Sequence, residues 1–381
     1  MSEKMDLRGG ADRLSSLPDS LLCEILMSFS TDEVVRTSVL STRWRNLWKN
    51  VPVLDLDTDD FPEEDSFVSF VDRFLCFNSD SCLQSFKLKY HYGEGSAHVT
   101  RWISTVVDRK VKHICLLNGS WDAQMPTTLY TCERLVSLAL DGVTFPSPNP
   151  SSKSVSLPCL KDMDLNKVKF ANNLAFEMLI SASPVLESLR LVNVSSENVD
   201  CFRVWSKSLL SLTHIARVIG GGEKDLVFEI DAPRLHDLYL VDGVVYDYLK
   251  CQPLPLFPNL TSLRATGYYN WHMLLAFLES CPNLKRLVLG PSRNSPENEG
   301  VSSLSGRQCF MSSLEYVEIQ RPWTNSQRKE NLLSSKHRLV SYFLENSTLC
   351  LDDSRKEGES VILKRPLTTP TLSASCQLNN P

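Results

Sequence analysis

Little in these 381 residues points to chemistry. No stretch approaches the ~20 apolar residues of a membrane span, and the N-terminal MSEKMDLRGGADR has no apolar h-region, so no membrane association is expected. The twelve cysteines contain no C-x-x-C pair, which removes the zinc ribbon and the thioredoxin-type redox site. They are scattered, mostly within apolar segments, and read as small buried hydrophobes. The seven histidines show no H-E-x-x-H spacing. HYGEGSAH does place His91, Glu94 and His98 in one Gly-rich loop, but without the spacing of a known zinc set. No G-x-S-x-G elbow occurs, and GGGEK at Gly220 to Lys224 lacks the spacing and the Ser/Thr of a phosphate-binding loop, so it reads as a turn. The expectation is a non-enzyme with no cofactor and no metal. A net charge of −5 and a pI near 5.9 repel phosphate unless a basic face is segregated. TRWRNLWKN is basic and aromatic, yet Asp32, Glu33, Asp55, Asp57, Asp59 and Asp60 surround it, so no nucleic-acid partner is expected. The chain reads as intracellular, cytoplasmic or nuclear.

What is present is a repeat. An L-x-x-L-x-L pattern starts at 111, 135, 160, 186, 210, 235, 260 and 284, every 24 to 26 residues, with a further copy at Leu314-Val317-Ile319 and weaker ones at Val51 and Leu83. That period describes a solenoid: a short strand points its leucines inward, about 20 residues cross the other side, and the chain returns one rung higher. The crossings look helical where they can be read, as in AFEMLISASPVLESLRL, WHMLLAFLESCPNLKRLVL and RLVSYFLENSTLCL, with Pro184 and Pro282 ending two of them. SPNPSSKS, Ser147 to Ser154, reads as a flexible loop.

Before this array the period changes. In LSSLPDSLLCEILMSF the residues Leu17, Leu21, Leu22, Ile25, Leu26 and Phe29 fall on one wide helical face, with Pro18 in the first turn. Ser30 and Glu33 form an S-x-x-E capping box that opens a second helix. A third short helix carries Trp44 and Trp48 one turn apart. The fold class expected is therefore α/β, with three helices ahead of a leucine-rich-repeat solenoid that has a curved parallel strand row and helical crossings.

Alternation along each strand sends the residue before the last leucine-type position to the open face. The resulting ladder is Ala139, Asp164, Arg190, His214, Tyr239, Arg264, Val288 and Glu318. Its basic and aromatic middle, Arg190, His214, Tyr239 and Arg264, is the candidate target-binding column, suited to an acidic or phosphorylated partner segment. A slip of one residue in the weak copy at Leu210 would turn His214 inward.

The segment DRLSSLPDSLLCEILMSFSTDEVVRTSVLSTRWRNLWKNVPVLDLD resembles the F-box of a large plant family that joins an F-box to leucine-rich repeats and a C-terminal FBD segment. Leu17-Pro18, the Leu21-Leu22 and Ile25-Leu26 doublets and TSVLSTRWRNLW carry the match, which spans about 45 residues. CFMSSLEYVEI and RLVSYFLENSTLCLDDSRKEGESVILK are similar to the FBD segment. SFSTDE departs from the family pattern, being one residue shorter and lacking a Leu-Pro pair. The resemblance implies an F-box at 10–57, repeats at 58–304, an FBD-like segment continuing the array at 305–360 and a tail at 361–381. It further implies docking on a Skp-type adaptor within a cullin complex through Leu17, Pro18, Leu21, Ile25, Leu26, Val39 and Trp44, with the repeats holding a target protein for ubiquitin transfer. From the residues alone, a repeat scaffold that binds a protein without any adaptor remains the alternative, and Trp44 and Trp48 packing against the first repeat remains a second role for that pair.

Overall fold

In the computed structural model the described residues are 14, 16–77, 83–91, 96–118, 123–147, 155–196, 201–215, 227–241, 256–267, 271–292, 309–320, 340–352 and 360–366. They divide into two compact units, the first holding 1–146 with 156–158, the second 147–155 with 159–381. The loop expected at Ser147 to Ser154 and the turn at Gly220 to Lys224 fall almost wholly outside the described residues.

The first unit opens with α1 (Asp19–Leu26) and α2 (Thr31–Arg36), followed by 3-10 turns at Thr37–Val39 and Trp44–Asn50. Pro18 is the N-cap of α1 rather than part of its first turn, and the carbonyl of Pro18 accepts from Leu21 and Leu22 at 3.1 Å each. The capping box of α2 forms as its sequence requires: Ser30 accepts from the Glu33 backbone at 3.4 Å, and the Glu33 carboxylate accepts from the Ser30 backbone at 3.0 Å. Next come β1 (Val53–Asp57), α3 (Glu64–Phe77), β2 (Ser85–Tyr90), α4 (Ser96–Asp108), β3 (His113–Asn118), β4 (Ala123–Gln124), β5 (Ser137–Asp141) and β6 (Val143–Phe145). β1, β2, β3 and β5 pair in parallel, in that order. Residues 53–57, which close the segment expected at 10–57 and also hold the weak repeat copy read at Val51, pair as the first strand of the row. Thr31 ties the two together, its hydroxyl accepting at 2.8 Å from the backbone N–H of Asp55.

The second unit is built in the same way. β7 (Asp162–Asn166), β8 (Lys169–Phe170), α5 (Asn173–Ser181), β9 (Ser188–Val192), β10 (Ser195–Ser196), β11 (Cys201–Trp205), β12 (Ser211–Ile215), β13 (Val227–Asp231), β14 (Asp237–Val241), β15 (Ser262–Gly267), α6 (Trp271–Glu279), β16 (Arg286–Ser292), β17 (Tyr316–Gln320), β18 (Cys350–Leu351) and β19 (Ser360–Lys364) follow in chain order. β7, β9, β12, β14, β15, β16 and β17 form a parallel row. α5 and α6 cross as expected. Other crossings carry short strands instead, β8 pairing with β10 and β11 with β13, so the helical reading of the crossings holds for only part of the chain. The row then reverses: β19 lies antiparallel to β17 and β18 antiparallel to β19. β19 also runs to Lys364, four residues into the stretch read as tail.

Why one register holds is visible at the start of each strand. Two consecutive N–H groups of a rung converge on one carbonyl of the rung before, as His236 and Asp237 do on Leu210 at 2.8 and 3.1 Å and Lys285 and Arg286 on Thr261 at 2.9 and 2.9 Å. Every leucine-type row read from the sequence points inward, with one exception. The weak copy is Leu209-Leu212-His214, not Leu210-Thr213-Ile215: Leu209, Leu212 and His214 are buried, and His214 pairs across with Leu191 and Leu240. Leu209 and Leu210 are adjacent leucines, so the sequence alone offered both registers.

A second stitch was not read from the sequence. Asn259 donates its side-chain amide to the Pro233 carbonyl and Asn283 to the Pro258 carbonyl, both at 2.8 Å, linking the Pro-x-Leu turns of successive rungs. The cysteines are more varied than expected: Cys132 and Cys281 are buried, whereas Cys76, Cys159 and Cys350 are exposed, and all of these are free. No helix among the described residues is long and apolar enough to cross a membrane. Replacing Asn283 by Ala is expected to cost about 1 kcal/mol, the net worth of one hydrogen bond, measurable by urea unfolding of the full chain.

Candidate functional site

Two surfaces collect the residues singled out above. The first is the outer side of α1. Adjacent residues on a helix lie about 100° apart, so each apolar doublet splits between two faces. Leu22 and Leu26 turn inward to a core with Val34, Trp44, Leu47 and Val51, on which Leu17 packs. Leu21 and Ile25 turn outward, each 43% exposed, and are accompanied by Met27, Phe29, Val39 and Leu40. Including Leu14, seven of the twelve exposed large apolar side chains among the described residues therefore sit within 14–40, a concentration that marks a contact face.

The expected docking set divides accordingly. Pro18, Leu21, Ile25 and Val39 stand on the open side and Leu17 at its edge, whereas Leu26 and Trp44 are 2% and 7% exposed and belong to the internal core. They are corrected from contact residues to supporting ones, because the module needs an apolar interior of its own before it can present an apolar exterior. Trp48 packs on the edge of that core and takes the second role expected of the pair, its ring lying on Phe70 and Phe74 of α3 at centroid distances of 6.4 and 6.2 Å. The basic residues beside the tryptophans serve the same packing. Arg43 donates to Asp19 through Nε at 2.8 Å and also to the Leu17 carbonyl, while Lys49 lies 5.6 Å from the Trp48 ring centre.

The second surface is the open face of the parallel row in the second unit. Its register places Asp164, Arg190, Thr213, Tyr239, Arg264, Val288 and Glu318 side by side. Arg190, Tyr239 and Arg264 share this face as expected. His214 does not; Thr213 takes its place, and the imidazole lies inside at 2% exposure, where burial pushes its pKa down to about 3. Arg190 is held by Asp164 at 3.3 Å, and Val288 is buried despite its outward register. Arg264 stands over the Tyr239 ring, 5.3 Å from its centre. A neighbouring column, two residues earlier on each strand, went unread: Asp237, Ser262, Arg286 and Tyr316, in which Arg286 stands 4.6 Å from the Tyr316 ring centre. The same two-residue alternation that picked out Arg264 also contains Arg286.

Metal-type clusters are weak. Asp57, Asp59 and His91 bring ligand atoms within 4.8 Å of one another on the surface, but the Lys89 ammonium already bonds Asp57 at 2.9 Å. Burial raises the Asp57 pKa less than the Lys89 hydrogen bond, the Asp59 backbone N–H and the nearby charges of Lys89 and His91 together lower it, so its carboxyl sits below the ordinary range. Of the His91, Glu94 and His98 set, Glu94 lies outside the described residues, and His98 stacks on Trp102 at 5.9 Å.

Comparison with known proteins agrees with both halves of this architecture. The F-box domain model matches residues 14–56, and the model described as FBD-associated F-box protein At5g56370, LRR repeats, matches residues 99–268. Among similar proteins of Arabidopsis thaliana, F-box/FBD/LRR-repeat protein At1g78750 and F-box/LRR-repeat protein 13 are each 43% identical to this chain over 96% of both chains. FBD-associated F-box protein At1g66310 is 42% identical over 96% of this chain and 95% of its own.

The inward turn of His214 has a measurable cost in acid. Its folded pKa of about 3 lies below the ordinary 6.5, so between those values the unfolded chain binds a proton that the folded chain refuses. Above the ordinary value the group is neutral in both states and contributes no pH dependence. As pH falls below it, stability is expected to drop by about 1.4 kcal/mol per unit until the folded pKa is reached. His214→Leu, which restores the residue type of Leu191 and Leu240, should remove that slope, read as the difference in urea midpoint between the two chains at pH 5 and pH 8.

Proposed function

Since the chain belongs to the F-box/FBD/leucine-rich-repeat family, we propose that it is the substrate-receiving subunit of a cullin-type ubiquitin ligase, docking a Skp-type adaptor through its N-terminal helices and holding a target protein on its repeats. The observation that carries this reading is the two-sided α1, whose inward Leu22 and Leu26 anchor it while Leu21 and Ile25 remain in solvent. An apolar face of that kind, displayed on a small module with its own core, suits a partner with a complementary apolar groove. Val39 at 86% exposure and Leu40 at 65% extend the same side of the module's sequence.

In this role the protein contributes no catalytic group. Its work is to bring two partners together, the adaptor at Leu17, Pro18, Leu21, Ile25 and Val39, and the target on the open strand face that bears Arg190, Tyr239 and Arg264. The strand order supports assigning 58–304 to the repeats with β1 just ahead of that span as their first strand, and β17 with the reversed β19 and β18 supports placing the FBD-like segment as the end of the row. The shortened SFSTDE turn is compatible with this arrangement, because Ser30 and Glu33 cap α2 without the missing Leu-Pro pair.

The test is capture of a purified Skp-type adaptor by the full chain. Ile25→Asp should lower affinity by more than tenfold, because binding would bury an unpaired carboxylate, and should leave the melting temperature unchanged since that side chain is exposed. Trp44→Ala should do the converse, costing about 3 kcal/mol of stability through the cavity it leaves. Wild-type chain that captures no adaptor at micromolar concentration would leave a repeat scaffold without a ligase role.

A further inference from the structure

Several charges on the strand rows are met within the protein by a partner on a neighbouring strand or turn. Lys87 meets Asp55 at 3.0 Å, Lys89 meets Asp57 at 2.9 Å, Arg190 meets Asp164 at 3.3 Å and Lys364 meets Asp352 at 2.7 Å. Two arginines are different. Neither Arg264 nor Arg286 has a carboxylate at salt-bridge distance among the described residues; each stands exposed beside a tyrosine ring, Arg264 beside Tyr239 and Arg286 beside Tyr316.

The guanidinium groups stand 5.3 and 4.6 Å from the ring centres, close to the ~4.8 Å spacing of adjacent strands. Arg264 opposes Val288, and Arg286 opposes Ser262. The two residues are therefore diagonal neighbours, their Cα atoms about 8 Å apart, within reach of one group for two side chains of this length. Ser262 lies on the same face, next to Arg286 and two residues before Arg264. A carboxylate is satisfied by one such guanidinium. A phosphate monoester, with close to two negative charges and three acceptor oxygens, fills the space between two, accepting hydrogen bonds of about 2.8 Å from each. Stacking on the rings holds both groups in place beforehand, so less side-chain freedom is lost on binding. Asp237 and Glu318 flank the pair on the adjoining strands, and Glu318 already accepts from Tyr316 at 2.8 Å and Gln320 at 3.2 Å. Those carboxylates favour a single phosphate over a nucleic-acid backbone, whose neighbouring phosphates they would repel.

We propose that Arg264 and Arg286, with Ser262 between them, form the seat of one phosphorylated serine or threonine on the captured protein. The target's phosphorylation then licenses its capture; this rests on the receptor reading for the identity of what is captured, though the phosphate site itself does not depend on adaptor binding.

The experiment uses the full chain and three pools of degenerate nonapeptides, with phosphoserine, serine or glutamate at the centre, and adaptor capture is measured on the same preparations. At least tenfold greater retention of the phosphoserine pool is expected. Arg264→Ala and Arg286→Ala should each lower it more than fivefold, while Arg203→Ala, whose charge is already met by Glu177 and Glu229 on another pair of strands, should not. Arg264→Lys with Arg286→Lys provides a variant that keeps the charge and the fold and loses the two-pronged donors, and it should retain less than a third of the wild-type signal. Equal retention of the phosphoserine and glutamate pools, undiminished retention by the Arg264→Ala, Arg286→Ala or double lysine variant, or displacement by a single-stranded oligonucleotide as readily as by phosphoserine peptide would each overturn the proposal. Loss of adaptor capture with phosphoserine selectivity intact would remove the receptor reading alone.

Discussion

Everything in the strand rows depends on two successive N–H groups meeting one carbonyl of the preceding rung. That contact recurs from the Gln84 and Ser85 pair on Pro52 to the Glu315 and Tyr316 pair on Lys285. Parallel strands have no hairpin turn to set their register, and a slip of one residue would send every leucine into water. The double contact at the head of each strand removes that freedom. It also determines which polar side chains become neighbours, because the columns on the open face are fixed by the same register. Arg264 beside Tyr239 and Arg286 beside Tyr316 are thus products of backbone geometry as much as of side-chain choice.

The N-terminal module follows another rule. A helix of eight residues cannot be stable alone, so α1 depends on tertiary packing. Its leucine and isoleucine doublets give it two apolar sides, one consumed by the Trp44 and Leu47 core, the other left to solvent. Isolated host modules with that pattern would aggregate unless the outer side is covered, which is the physical reason to regard it as a docking face.

Much of this was legible in the residues. The leucine rows have a strict period and large apolar side chains, and all but one turned inward as read. The exception arose where Leu209 and Leu210 stand together, because an apolar doublet carries no information about register, and only the hydrogen bonds that the Leu210 and Ser211 backbone N–H groups donate to the Glu187 carbonyl resolve it. The capping box was legible because its two partners are three residues apart. The division of Leu17, Pro18, Leu21, Ile25, Leu26, Val39 and Trp44 into contact and core residues was not, since which member of a doublet faces inward depends on where the next helix lands. Arg286 and Tyr316 lie in the same alternation, two residues before Val288 and Glu318, because each strand presents more than one open-face position to its neighbours.

Trp48 on Phe70 and Phe74, together with Thr31 on the Asp55 backbone, joins the helical module to the first rung through packing and an edge hydrogen bond rather than through a linker. The open edge of β1, which would otherwise invite another strand, is closed by the module itself. The protein therefore has no interchangeable handle at its front. On the proposed reading, an adaptor that grips α1 would also take hold of the first strands, and exchanging this module for another would require the replacement to bring a ring that fits α3 and a hydroxyl that fits β1. Recognition at one end and architecture at the start of the row are a single inherited unit.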